Sequence, residues 1–231
     1  MGLGSYDGAL RRLMKPKDLT IAIVAGAPVA KKFLPLIKRN KVLIGVDRGA
    51  LFLIQNKIVP DVALGDFDSV TARERTRIQK HAKTFIPYPK KKDATDLELA
   101  VRHASGLAPR EVVIYGALGK RFDHAIAATH VLLALHARGI AGSMYDAQNE
   151  VRIITGTHRI ETKKGYRYVS IVPVTKSAIV TLRGFVYDLK HKTLRRGSTL
   201  GVSNEAKRFP ADITIHAGVA LLIFSRDEAG K

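Results

Sequence analysis

The feature that most constrains how this chain can fold is a change of hydrophobic period near residue 147. Before that point short β-branched runs alternate with amphipathic stretches, and after it strand-like runs follow one another with only turn residues between them. The first pattern builds β-α units around a mostly parallel sheet, and the second builds a sandwich or barrel. The expected architecture is an α/β N-terminal domain with a mostly parallel sheet over 1–147 and an all-β, sandwich-like C-terminal domain over 148–231. In the first region the expected strands are 19–25, 42–47, 61–64, 84–87, 111–115 and 142–145, and the expected helices are 29–38, 49–56, 72–82, 96–104 and 122–137. Pro35 falls inside the first helix, where its missing N–H and fixed φ kink or shorten the element. In the second region the expected strands are 151–154, 166–174, 178–182, 213–216 and 219–224, with no helix.

A chain of 231 residues with 46% hydrophobic side chains can bury one large core or two modest ones, since domains run to roughly 100–200 residues. It has no apolar run long enough to cross a membrane, and its first residues lack the apolar stretch of a secretory signal. Met1-Gly2 opens like a myristoylation signal, but Tyr6 stands where that signal has Ser or Thr. The expectation is a cytoplasmic protein with no membrane partner. The absence of cysteine excludes disulfides, thiolate ligands and thiol nucleophiles, so the chemistry falls to oxygen and nitrogen groups.

Thirty-nine Lys and Arg against 20 Asp and Glu give a net charge of +19, a field that attracts polyanions. The excess is scattered over short runs, among them Arg11-Arg12, Lys31-Lys32, Lys90-Lys91-Lys92, Lys163-Lys164 and Arg195-Arg196, which reads chiefly as solvated surface. There is no RNP signature or zinc-finger spacing, and few aromatic residues offer a platform for bases. A basic nucleic-acid-binding protein is therefore an alternative that stands on charge alone.

The acids are distributed differently. Ligands of open α/β sheets bind beyond the carboxyl ends of the strands, and four successive strand ends here run into acids: Asp47-Arg48-Gly49, Gly65-Asp66-Phe67-Asp68-Ser69, Lys92-Asp93 with Asp96, and Arg121-Phe122-Asp123-His124. Two carboxylates one residue apart, as in Asp66 and Asp68, reach the same hard cation, and Mg²⁺ is bound by one or two carboxylates plus waters and phosphates. The same spacing also serves an Asx turn that caps the next helix. Thr95 and Glu98 form a capping-box pattern ahead of an apolar stripe. Capping does not require Lys92, Asp93 and Asp96 as well, and a helix N-terminus offers free N–H groups to phosphate.

The segment from Gly116 through Gly119 and Lys120 to Arg121 combines close backbone approach with a planar cationic fork, but lacks P-loop spacing. Asp123 equally suits the N-terminal end of a helix dipole. His124, His130 and His136 recur every six residues, fall on different helix faces and make no metal cluster. No Gly-x-Ser-x-Gly elbow is present.

Five segments taken in order resemble the thiamine pyrophosphokinase family: Gly45-Val46-Asp47-Arg48-Gly49-Ala50; Gly65-Asp66-Phe67-Asp68-Ser69; Lys92-Asp93-Ala94-Thr95-Asp96-Leu97-Glu98-Leu99-Ala100; Gly119-Lys120-Arg121-Phe122-Asp123-His124; and Leu200-Gly201-Val202-Ser203-Asn204-Glu205. The resemblance implies transfer of diphosphate from ATP to thiamine, giving thiamine diphosphate and AMP. It also implies a homodimer with thiamine sites between subunits. By the same resemblance Asp66, Asp68 and Asp96 hold Mg²⁺, and these three with Asp47, Asp93 and Arg121 form the catalytic set. Asp47, Arg48, Lys92, Thr95 and Arg121 serve the nucleotide, and Asp123, Ser203 and Asn204 serve thiamine. Two departures stand out: Lys120 replaces a glycine usual in the family, and the chain has no tryptophan after Ser-Asn-Glu, offering Phe209 instead. A metal-dependent phosphohydrolase or another nucleotide-dependent transferase is the alternative that uses the same acids.

Overall fold

The computed structural model describes residues 18–119, 121–161 and 165–227. Two compact units divide the chain, Met1–Asp146 and Ala147–Lys231.

In the first unit six strands, β1 (Thr20–Val24), β2 (Val42–Val46), β3 (Val62–Gly65), β4 (Thr84–Pro87), β5 (Glu111–Tyr115) and β6 (Ala141–Tyr145), pair in parallel in the order β6-β5-β1-β2-β3-β4. Between them run α1 (Leu34–Lys38), α2 (Arg48–Gln55), α3 (Ala72–His81), α4 (Asp96–Gly106) and α5 (Phe122–His136). β1 lies between β2 and β5, and Ile21, Ala22, Ile23 and Val24 are all fully buried. A central parallel strand is covered on both faces, which is why β1 and β2 are unbroken apolar runs without alternation. The chain lays β2, β3 and β4 on one side of β1, then returns through α4 to place β5 and β6 on the other. That reversal beside β1 makes a switch point, with the carboxyl ends of the strands on a common rim.

The mostly parallel sheet is as expected from the sequence, but its first helix differs. Residues 31–33 form a 3₁₀ turn, and α1 starts only at Leu34, with Pro35 in its first turn. A proline there gives up an N–H that would have had no partner in the helix, so it marks a beginning rather than a kink. The capping boxes also differ. Thr71 and Glu74 at α3 make the full reciprocal pair, whereas Thr95 Oγ1 accepts from Glu98 N while the Glu98 carboxylate reaches forward to Arg102.

The second unit is antiparallel: β7 (Asn149–Ile160), β8 (Tyr168–Pro173), β9 (Ser177–Arg183), β10 (Leu189–Arg195), β11 (Asn204–Glu205) and β12 (Ala211–Ser225). The runs 213–216 and 219–224, expected as two strands, both belong to β12. Its register shifts between Ile215 and Ala220, around Gly218 with φ +81°. The irregularity bends the strand, so its first half pairs with β9 and its second half with β8, while β7 follows it throughout. Two layers thus share one bent ribbon and enclose a core that includes Ile171, Val180, Leu182, Ile213, Leu222 and Phe224. β10 was not expected because only Leu194 of its seven residues is buried, leaving no visible alternation.

One core contact places the loop after β3. Phe67, in the Gly-Asp-Phe-Asp-Ser segment after β3, is buried among Ala50, Leu51, Ile54, Ala63 and Ile78 and stacks on Phe85 at 4.7 Å between ring centroids. Phe67→Ala is expected to cost about 3–5 kcal/mol of stability, measured as a lowered urea midpoint.

Candidate functional site

Asp47 follows β2 directly and opens α2 with φ 46° and ψ −116°, a conformation that non-glycine residues adopt only under constraint. Its N–H donates to Leu64 O at 3.1 Å, and its Oδ1 accepts from Phe67 N at 2.9 Å. The carboxylate is thereby laid across the end of β3. Gly65 makes this possible: its φ is +140°, and a Cβ there would lie 2.0 Å from Asp47 Oδ1. Gly49 is needed for a related reason at the start of α2, where a Cβ would lie 1.9 Å from Val24 O and would push the helix away from β1.

Asp66, beside the buried Phe67, points its carboxylate at Lys92. The ammonium lies 2.9 Å from Asp66 Oδ2 and 2.9 Å from Asp96 Oδ1, with the Asp66 and Lys92 side chains each 12% exposed and that of Asp96 18%. Asp96 is the first residue of α4, which packs on β1, β2 and β3 and so carries its N-terminal end to the ends of those strands. Asp47, Asp66 and Asp96 each bring one oxygen within 4.8 Å of the others, and among the described residues they are the one such group of three potential ligands.

The environment shifts Asp47 and Asp66 in opposite directions. Burial pushes the Asp47 carboxyl up to about 7, the neighbouring Asp96 and Asp66 adding to the rise while the Phe67 N–H and Lys92 oppose it. Burial would raise Asp66 as well, but hydrogen bonds from Lys92 and from Asp68 N outweigh it and hold that carboxyl below its ordinary value. For Lys92, burial disfavours the charge, and the Asp96 and Asp66 carboxylates more than compensate, holding the ammonium above its ordinary value.

The remaining residues singled out in the sequence lie as follows. Asp68 is not one of the three converging acids; its carboxylate is half-exposed and faces Lys90 Nζ at 3.1 Å. Asp93 is exposed. Arg48 donates to Ser69 O at 3.0 Å, bracing the Asp66–Asp68 loop from the far side. Thr95 is the N-cap of α4. Arg121 and Asp123 are both exposed and form a two-point pair, Nε to Oδ1 and Nη2 to Oδ2, which raises the arginine and lowers the aspartate from their ordinary values.

In the second unit, Ser203 is exposed, has φ 58° and donates its N–H to Ser170 Oγ. Asn204 is buried, and its amide is engaged by Tyr187 N, Tyr187 O and Glu205 N, tying β11 to the loop after Gly184. Phe209 is half-exposed. Lys120, Arg11-Arg12 and Lys163-Lys164 lie outside the described residues.

The three acids fit a hard divalent cation. Their oxygens are near enough to share one, and Asp96 Oδ1 is shut off from solvent yet has no aligned hydrogen bond, its contact with Lys92 being close but poorly directed. A buried carboxylate oxygen without a directed donor is costly, and a metal ion would satisfy it. The sequence reading set Asp47 among the catalytic and nucleotide residues and not among those expected to hold Mg²⁺, whereas the structure brings its carboxylate beside those of Asp66 and Asp96. Strand-end position was the available signal; the turn across Gly65 that delivers its oxygen depends on φ values no spacing reveals.

Comparison with known proteins matches both parts of the chain to one family. A family profile described as the thiamin pyrophosphokinase catalytic domain matches residues 33–142, and one described as the thiamin pyrophosphokinase vitamin B1 binding domain matches residues 157–220. The chain is 35% identical over 214 residues to a thiamine pyrophosphokinase of Bacillus subtilis (strain 168), covering 90% of this chain and 99% of that one. It is also similar to a crystal structure of thiamine pyrophosphokinase from Bacillus subtilis, with TM-score 0.82 and 33% identity over 90% of this chain and 99% of the other. A thiamin pyrophosphokinase structure from Geobacillus thermodenitrificans gives TM-score 0.80 and 31% identity over 91% and 99%.

The position of Asp47 sets a pH dependence. Folding raises this carboxyl from 3.8 to about 7, so between those values the folded state holds a proton the unfolded chain has released, and stability falls as pH rises through that window. Asp66 acts in the opposite sense, but in the window below its ordinary value. In EDTA, Asp47→Asn, which keeps an acceptor for Phe67 N, is expected to flatten the decline in thermal midpoint between about pH 5 and pH 7.5 and to be more stable than the native protein at the upper end. Scanning calorimetry across that range checks it.

Proposed function

The chain belongs to the thiamine pyrophosphokinase family, and from that premise we propose that it is an enzyme transferring the terminal diphosphate of ATP to the hydroxyl of thiamine, with thiamine diphosphate and AMP as products. The observation that carries the reading is the convergence of Asp47, Asp66 and Asp96 on one space beyond the carboxyl ends of the strands, where such sheets bind nucleotides.

Asp66 and Asp96 would hold Mg²⁺, with Asp47 offering the third nearby oxygen and Asp68 facing the outer side of the same loop. When bound, the ion would neutralise charge on the phosphate oxygens, the main demand of phosphoryl transfer besides alignment. Lys92 and Arg121 supply cations for the phosphates, Arg121 by exchanging its exposed carboxylate partner for a phosphate of matching fork geometry. Thr95 opens the N-terminal end of α4 toward the same anion, and Arg48 keeps the Asp66–Asp68 loop in register through Ser69 O. The hydroxyl proton passes to an acid of the rim. Asp93 and Asp123 are both exposed, and Asp123 is freed to accept it once Arg121 has left for a phosphate.

Thiamine recognition falls to Asp123 and to the Ser203–Asn204 turn, which lies within the stretch matching the vitamin-binding profile. Ser203 presents its exposed hydroxyl, while Asn204, its amide engaged by the neighbouring loop, shapes the turn. A homodimer with sites shared between subunits completes the reading. It is supported by exposed apolar side chains of the second unit, Val186, Tyr187, Leu200, Val202 and Phe209, which a second copy would cover.

Incubation with ATP, Mg²⁺ and thiamine is expected to yield AMP and thiamine diphosphate in equal amounts, the latter read by thiochrome fluorescence. Phosphate release that ignores thiamine would instead favour a phosphohydrolase. Asp66→Asn and Asp96→Asn are expected to lower kcat/KM by on the order of a hundredfold or more, with far-ultraviolet circular dichroism unchanged. Light scattering is expected to give twice the chain mass.

A further inference from the structure

Lys92 carries its charge into the space that a divalent ion would take. Its ammonium touches two of the three converging carboxylates, at 2.9 Å each, and only 12% of its side chain meets solvent. Acids this close repel one another strongly where water is scarce, so without metal they need a resident cation. A second lysine of the same loop offers a contrast. Lys90 pairs with Asp68 from a side chain that is 80% exposed, where solvent and salt screen the attraction.

We infer that Lys92 is the internal counter-ion of the metal-free site. It keeps Asp66 and Asp96 in place, competes with divalent cations for them, and releases both when such a cation is bound. The inference rests on the metal-site reading above and adds to it a competition and a coupling. An ammonium and a divalent ion cannot both sit against the same two oxygens, because their mutual repulsion over a few ångströms outweighs what the shared carboxylates return. The lysine has a four-carbon stem with free rotations, so release requires no backbone movement. Once released it is a cation beside the N-terminal end of α4, available to a nucleotide phosphate. Divalent cation and nucleotide then assist one another's binding, since the cation frees the group that the phosphate captures.

Mn²⁺ binding, measured by titration calorimetry with and without a non-hydrolysable ATP analogue, tests this in the native protein, Lys92→Met and Lys90→Met. Without nucleotide, Lys92→Met is expected to bind Mn²⁺ on the order of tenfold more tightly than the native protein, and Lys90→Met with little change. The analogue is expected to strengthen Mn²⁺ binding less in Lys92→Met than in the native protein. Equal or weaker binding by Lys92→Met, or an equal gain from Lys90→Met, overturns the inference. A second measurement uses the native chain alone: the Lys92 ammonium ¹⁵N signal should be protected from exchange in EDTA and lose that protection as Mg²⁺ is added. A signal that stays protected while Mg²⁺ binds overturns the inference too. Absence of Mn²⁺ binding in all three proteins is a separate result, which removes the metal-site reading and this inference with it.

Discussion

Repulsion among three carboxylates that share a nearly dry space is the constraint on which the site depends. Left alone, Asp47, Asp66 and Asp96 would swing apart toward water. They stay because each is fastened by its surroundings and because Lys92 lies between two of them. Asp47 is held by Phe67 N, Asp66 by its place beside a buried aromatic ring, and Asp96 by its position at the start of a packed helix. The energy that holds them is hydrophobic and steric, supplied by Phe67 against Phe85 and by the close approaches at Gly49 and Gly65. Lys92 lowers the remaining electrostatic cost, and Asp47 lowers it further by keeping its proton up to about neutral pH.

The scaffold matters for this because the parallel sheet aligns its strand ends. β2 delivers Asp47, β3 delivers Asp66, and the crossover after β4 brings Asp96 back over β1, β2 and β3. The three acids come from three separate segments, so their closeness here depends on the order of the strands and on the packing of α4. Asp68 shows the alternative: two residues from Asp66 on the same loop, it faces the exposed Lys90. In the second unit a polar group does structural work instead. The buried amide of Asn204 ties β11 to the loop that follows β9, and so fixes the turn that exposes Ser203.

Much of the fold could be read in advance because it rests on local pattern. The apolar runs of β1, β2 and β5, the helices between them and the succession of strands after residue 147 are periodicities of neighbouring residues. Where pattern was weak or doubled, the reading departed from the structure. β10 has one buried residue in seven and shows no alternation, and β12 was divided in two because the bend at Gly218 looks like a turn. Pro35 looked like an interruption because helix starts are set by the hydrogen bonds of the preceding turn, which the sequence does not display.

The sequence by itself determined the class of chemistry: hard oxygen ligands at strand ends, cations beside them, no thiol, and motifs ordered as in one enzyme family. It also determined that the chain would form an α/β unit followed by a β-rich one. Only the tertiary structure decided that Asp47, twenty residues from Phe67 in the chain, shares a space with Asp66 and Asp96 while Asp68 does not. The physical reason is that residue spacing records which groups are present on a loop. Which of them meet is set by backbone angles such as that of Gly65 and by the burial of Phe67, and both of those depend on contacts between segments far apart in the chain.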